Sequence, residues 1–195
     1  MHESERDKFL SVVAELWSEA GKKSILKVSG ISMSPMLLDD ESIQVDHFQK
    51  DLRMGDVGVF NRNGLIFVHR VLFKKRESNT IVYRTKGDWM LFMDQPVQSD
   101  SVAGKVCAFT RGSRQYDLNA AASKIYAKIM ALYSFAIAVD GKAANLADTF
   151  LSFLKREEVR FFRNAILRID RTLLKIFHAI FFRLFNKKKD GSLAI

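Results

Sequence analysis

The hydrophobic pattern changes period along the chain, and the changes divide it into three stretches. From Ser24 to about Asp117, short runs rich in Val, Ile and Phe alternate with Gly, Asp and Asn turns, a pattern of strands about five to ten residues long. The runs predict strands at 24–29, 42–47, 56–61, 64–75, 79–86 and 101–110. Between two of them lies Asn63-Gly64, a pair suited to the two-residue hairpin turn because both residues tolerate positive φ. Before this region, residues 5–20 predict a short amphipathic helix with Phe9, Val12, Val13, Leu16 and Trp17 on one face, stopped at Gly21. After Asn119 the spacing becomes helical, and no proline occurs from Val97 onward. Helices are expected at about 119–138, 142–156 and 158–186, separated near Asp140-Gly141 and Glu157. The fold class predicted is α+β: a mainly-β domain at 23–118, preceded by the helix of 1–22 and followed by a helical, basic region at 119–190.

Charge and cysteine usage narrow the function classes. The 195 residues carry a formal net charge of +9, which suits nucleic acid, an anionic membrane or acidic partners equally well. Its distribution says more. In 158–186, Phe162, Ile166, Ile169, Leu173, Phe177, Ile180 and Leu184 recur at steps of three and four, while Arg163, Arg168, Arg171, Lys175, Arg183 and Lys187 to Lys189 supply the charge. Such a helix either packs on its neighbours or lies in an anionic membrane interface, so 158–189 is a candidate membrane-contacting segment. No reader motif accompanies the basic residues, and nucleic acid is not an expected partner. The single Cys107 excludes an internal disulfide, gives no metal cluster and lies in an apolar run that reads as core. The N-terminal 23 residues carry interrupting acids and do not form a secretory signal. No stretch of about 18 uncharged apolar residues is present to span a membrane. A cytoplasmic location, with peripheral membrane contact, is therefore expected.

Four segments of the β region carry potential chemistry. Ser32 lies between Gly30 and Pro35 and so sits on a turn, which can expose a hydroxyl and leave backbone N–H groups free for an oxyanion. His69 interrupts an otherwise apolar strand, and a neutral imidazole within reach of a serine can take its proton. Asp88 or Asp94 could fix the tautomer of that ring. Singly, each has an ordinary alternative: Ser-x-Ser-Pro is a common turn, a strand histidine is commonly structural, and an aspartate after glycine is common turn chemistry. His47 and His178 lie in no motif and read as structural or exposed.

The four segments together resemble the signal peptidase I family. They occur in order as Gly30-Ile31-Ser32-Met33-Ser34-Pro35, then Gly55-Asp56-Val57-Gly58-Val59-Phe60, then His69-Arg70-Val71, then Thr85-Lys86-Gly87-Asp88 followed by Asp94. The likeness runs from about Ser24 to Phe109 and is closest to the endoplasmic-reticulum and archaeal branch; the wider superfamily includes the self-cleaving domain of LexA-type repressors. The resemblance implies that Ser32 is the nucleophile, that His69 stands where many members hold lysine and acts as general base, and that Asp94 completes the triad. Asp88, Gly30, Met33, Pro35 and Arg70 would support the site. No cofactor or metal is implied. The sequence departs from the pattern at Gly30, where many members have a serine, at Asp39-Asp40-Glu41-Ser42, at Gly58, at Trp89 and in the absence of the usual N-terminal anchor.

The function expected is that of a serine endopeptidase acting on a peptide or protein precursor. A LexA-like self-cleaving regulator is the first alternative, although no helix-turn-helix precedes the domain; Ala20-Gly21, upstream of Ser32, would be its cleavage bond. An inactive module that binds a peptide or a membrane is the second.

Overall fold

The computed structural model describes residues 23–150, residue 172 and residues 175–181. Two compact units are present, Met1–Leu154 and Lys155–Ile195.

Within the first unit the chain runs β1 (Lys23–Lys27), β2 (Ser42–Asp46), β3 (Val57–Arg62), β4 (Leu65–Glu77), β5 (Thr80–Lys86), β6 (Val97–Gln98), β7 (Val102–Arg111), β8 (Arg114–Asp117) and α1 (Ala121–Phe150). The strands form one sheet in the order β1-β2-β7-β3-β4-β5-β6, with β8 paired to β7. Every pairing is antiparallel. This is the expected α+β arrangement, a mainly-β sheet followed by helix. All six predicted strands are present within two residues of their expected ends, whereas the short β6 and β8 were not legible as runs. The β3–β4 hairpin closes through Asn63 and Gly64, at φ of 54° and 87°, both left-handed as its two-residue turn requires.

One set of buried side chains, Leu52, Phe60, Val71, Tyr83, Val97 and Val102, forms a core cluster, and Phe67 stacks on Phe60 at 5.4 Å between ring centroids. Met33, Met36 and Leu37 are buried as well and fix the loop between β1 and β2 from beneath. Cys107 is buried with its Sγ bonded to the Gln44 carbonyl, and burial pushes its thiol pKa up, as expected of a core cysteine.

Helix α1 meets the sheet closely. A side chain at Gly55 would stand 2.8 Å from the Ala127 carbonyl carbon, and Phe135 meets Phe73 of β4 edge-on at 5.9 Å. Tyr126, Met130, Ala131, Ser134 and Ala138 supply its buried face. The break expected near Asp140-Gly141 is not there, and α1 continues to Phe150. One glycine inside a helix costs only about 1 kcal/mol against alanine, too little to end a long helix. The predicted helix 5–20, residues 151–156 and most of 158–186 lie outside the described residues; residues 175–181 are helical, as expected.

Candidate active site

The site assembles where the β1–β2 loop, the middle of β4 and the segment after β5 converge. After β1 the chain forms a compact turn in which the Ser34 N–H donates to the Ile31 carbonyl and the Leu37 N–H to that of Met33. Met33, Pro35, Met36 and Leu37 point inward, so Ser32 is held at the partly exposed crest of an anchored turn. Gly30 enters this turn at φ 92° with its N–H bonded to the Asp39 carboxylate. From the far side, Arg111 of β7 donates to the Met36 carbonyl at 2.9 Å and to the Glu41 carboxylate at 3.0 Å. Glu41 also accepts from the Leu38 N–H at 2.8 Å, which closes the clamp on the loop.

His69 and Arg70 are consecutive on β4 and face opposite ways, as strand geometry dictates. The His69 Nδ1 lies 2.6 Å from Asp94 Oδ2. A carboxylate can only accept, so Nδ1 carries the proton, and in the neutral ring Nε2 is then the atom that presents a lone pair. The Thr85 hydroxyl donates to the same Asp94 oxygen at 2.6 Å, and the Asp94 N–H returns to the Thr85 carbonyl at 2.9 Å. Asp94 is therefore fixed through both side chain and backbone before it orients the ring. The Phe67 ring edge packs against His69 at 5.3 Å and confines it further.

Gly87 brings the histidine and serine segments together. A Cβ at this position would stand 2.5 Å from the Ser32 carbonyl oxygen and 3.0 Å from His69 Nε2. Those two atoms are therefore no farther apart than the two distances combined, and only glycine fits between them. The Trp89 N–H donates to the Ser32 carbonyl at 2.9 Å and ties the loop after β5 to the serine turn. Among the described residues, no acceptor takes the Ser32 backbone N–H, which stays available as a donor.

Arg70 and Asp88 form the foundation. Both side chains are fully buried, and the guanidinium grips the carboxylate at 2.8 and 2.7 Å while also donating to the Gly55 carbonyl at 2.9 Å. Burial alone would lower the Arg70 pKa; the Asp88 charge and its hydrogen bonds reverse that and hold it above its ordinary value. Burial likewise pushes the Tyr126 hydroxyl pKa up, against the opposing pull of Arg70. Asp88 is thus committed to Arg70, and Asp94 is the acid on the histidine.

The structure brings together Ser32, His69 and Asp94, with Gly30, Met33 and Pro35 shaping the serine turn and Arg70–Asp88 beneath it. Sequence reasoning missed Thr85, Arg111 and Glu41. Thr85 stood in the quoted Thr-Lys-Gly-Asp segment and could have been weighed there; the Arg111–Glu41 clamp joins residues 70 positions apart and left no local signal. His47 is fully buried, its Nδ1 on the Ala103 carbonyl at 2.8 Å and its Nε2 on the Ser24 hydroxyl at 2.7 Å, a structural arrangement as expected. No His, Cys, Asp or Glu cluster able to hold a metal occurs among the described residues.

Comparison with known proteins gives one family. Residues 1–84 match the family described as Peptidase S24-like, and the matched span takes in Ser32 and His69 and ends before Asp88 and Asp94. This supports the LexA and signal-peptidase superfamily and, at that level, a serine-peptidase or self-cleaving kind of chemistry. No curated protein and no solved structure matches the chain. Among the described residues no helix is long and apolar enough to cross a membrane.

Proposed function

We propose that this chain is a serine endopeptidase that trims a peptide or protein precursor by acyl transfer, most similar to the Ser/His branch of the signal peptidases. The observation that carries the reading is the His69 ring itself: Nδ1 is bound to a doubly anchored Asp94, and Nε2 faces the point that the Ser32 backbone also borders. In the reaction, the Ser32 hydroxyl oxygen attacks the scissile carbonyl carbon while His69 Nε2 takes its proton. The same proton passes to the departing amine as the C–N bond breaks. Water then attacks the acyl ester, gives a proton to Nε2, and the Ser32 oxygen takes it back as the acid leaves. The Ser32 N–H would support the oxyanion, and Asp94 would stabilise the imidazolium formed midway. Arg70–Asp88 would hold the strand and loop at fixed spacing. The basic 158–189 segment would recruit the precursor or dock on an anionic membrane, and deleting 158–195 would then lower vesicle co-sedimentation.

The test compares new protein N-termini, by mass spectrometry, in cells carrying the native chain and cells carrying Ser32→Ala. Specific N-termini lost in the variant would identify the substrate. No change, in those termini or in the chain's own mass, would favour the non-catalytic binding module. A self-cleaving regulator is the second reading, favoured by the family match, which spans Ala20-Gly21 as well as Ser32. Peptide-bond cleavage confined to the chain itself would select it.

A further inference from the structure

Helix α1 is apolar on two faces, and only one of them is used by the sheet. The inner face carries Tyr126, Met130, Ala131, Ser134 and Ala138. On the outer face Ile125 is 61% exposed, Ile129 45% and Leu132 59%; Phe135 lies at the border of the two faces, where its ring meets Phe73 of β4. Ile125, Ile129 and Leu132 follow one another at steps of four and three, so they form one row down the helix. Lys124 and Lys128 lie in the adjoining row, both exposed. No acidic residue occurs between Asp117 and Asp140. A solvent-facing helix face ordinarily mixes charges of both signs; this one offers large aliphatic groups flanked by cations alone.

We propose that the outer face of α1 is a docking surface for an anionic lipid bilayer. Ile125, Ile129 and Leu132 enter the headgroup boundary, and Lys124 and Lys128 meet the lipid negative charge. The charge pattern favours this occupant over a second copy, which would bring the same lysines to the contact with no carboxylate on this face to receive them. The chain's surplus of +9 acts in the same direction. Because the inner face of α1 packs on Gly55 and Phe73, lipid bound on the outer face lies against the unit that holds Ser32 and His69. The inference is independent of the peptidase reading.

The experiment is co-sedimentation of the purified full chain with vesicles of phosphatidylcholine alone and of phosphatidylcholine mixed with phosphatidylglycerol. The native chain is expected to pellet with the mixed vesicles only. An Ile129→Glu, Leu132→Glu double variant is expected to weaken that binding about tenfold or more. Ile25→Glu, an exposed apolar position on β1, is expected to bind as the native chain does. Lys124→Glu with Lys128→Glu, at exposed positions that leave the fold undisturbed, is expected to lose the preference for anionic lipid, and circular dichroism verifies folding of each variant. Native-like binding by the double variant would overturn the proposal in favour of the basic tail alone. Failure of the native chain to pellet would overturn it too. A native dimer that the double variant converts to a monomer, by light scattering, would assign the face to a second copy instead.

Discussion

Among the described residues Ser24 lies against His47 and the Ser32 turn approaches His69, and the surroundings of the two places differ. Ser24 and His47 are hydrogen-bonded at 2.7 Å but buried, with the second ring nitrogen spent on a backbone carbonyl. His69 is partly exposed, and its second nitrogen is bound to a carboxylate that can stabilise an imidazolium. Ser32→Ala and His69→Ala are each expected to remove measurable peptide cleavage without unfolding the chain, read from product N-termini and a far-ultraviolet spectrum. Asp94→Asn keeps the shape but lets the wrong tautomer form, and a fall in kcat of about a thousandfold or more is expected. Thr85→Val removes one of the two donors on the Asp94 oxygen. A loss of about tenfold, restored in part by Thr85→Ser, is expected from a charge-assisted hydrogen bond of ordinary strength.

At the level of elements, the joint between β4 and the segment after β5 is a buried ion pair. Arg70 and Asp88 are both removed from water, so deleting either partner strands a charge, at a cost of about 3–5 kcal/mol, whereas replacing both with leucine costs less than either single change. Urea unfolding of Arg70→Leu, Asp88→Leu and the double variant tests this; additive losses would contradict the coupling. Tyr126 of α1 has its pKa raised chiefly by burial, against the opposing charge of Arg70. A raised pKa means the neutral form is favoured in the folded state, so its stabilisation is complete below the unfolded value of about 10 and declines as pH rises beyond it. The melting temperature is expected to fall in that alkaline range, and Tyr126→Phe is expected to flatten the fall. The unbroken course of α1 through Gly141 belongs to this scale too: a local stop signal worth about 1 kcal/mol did not end the helix.

For the whole molecule, the sequence alone determined the α+β class, six of the eight strands among the described residues and the Asn63-Gly64 turn, because alternation, β-branched residues and positive-φ pairs act over a few neighbours. The residues by themselves made Ser32 and His69 candidates and left Asp88 and Asp94 both open; it was the resemblance of the four segments taken together that implied Asp94. A processing enzyme acting on other chains is expected to keep its own mass after alkaline incubation; loss of residues 1–20 would instead mark self-cleavage. Tertiary structure showed that Asp94 meets His69 while Asp88 is held by Arg70, a pairing that depends on where the loop after β5 crosses β4. It decided the Arg111–Glu41 clamp, whose partners meet only when β7 closes against the serine turn. It also accounts for Gly58, where a side chain would meet the Phe60 ring at 2.5 Å and Leu52 at 2.6 Å. Each of these is a matter of distance between segments far apart in the chain, and no pattern of neighbouring residues encodes such a distance.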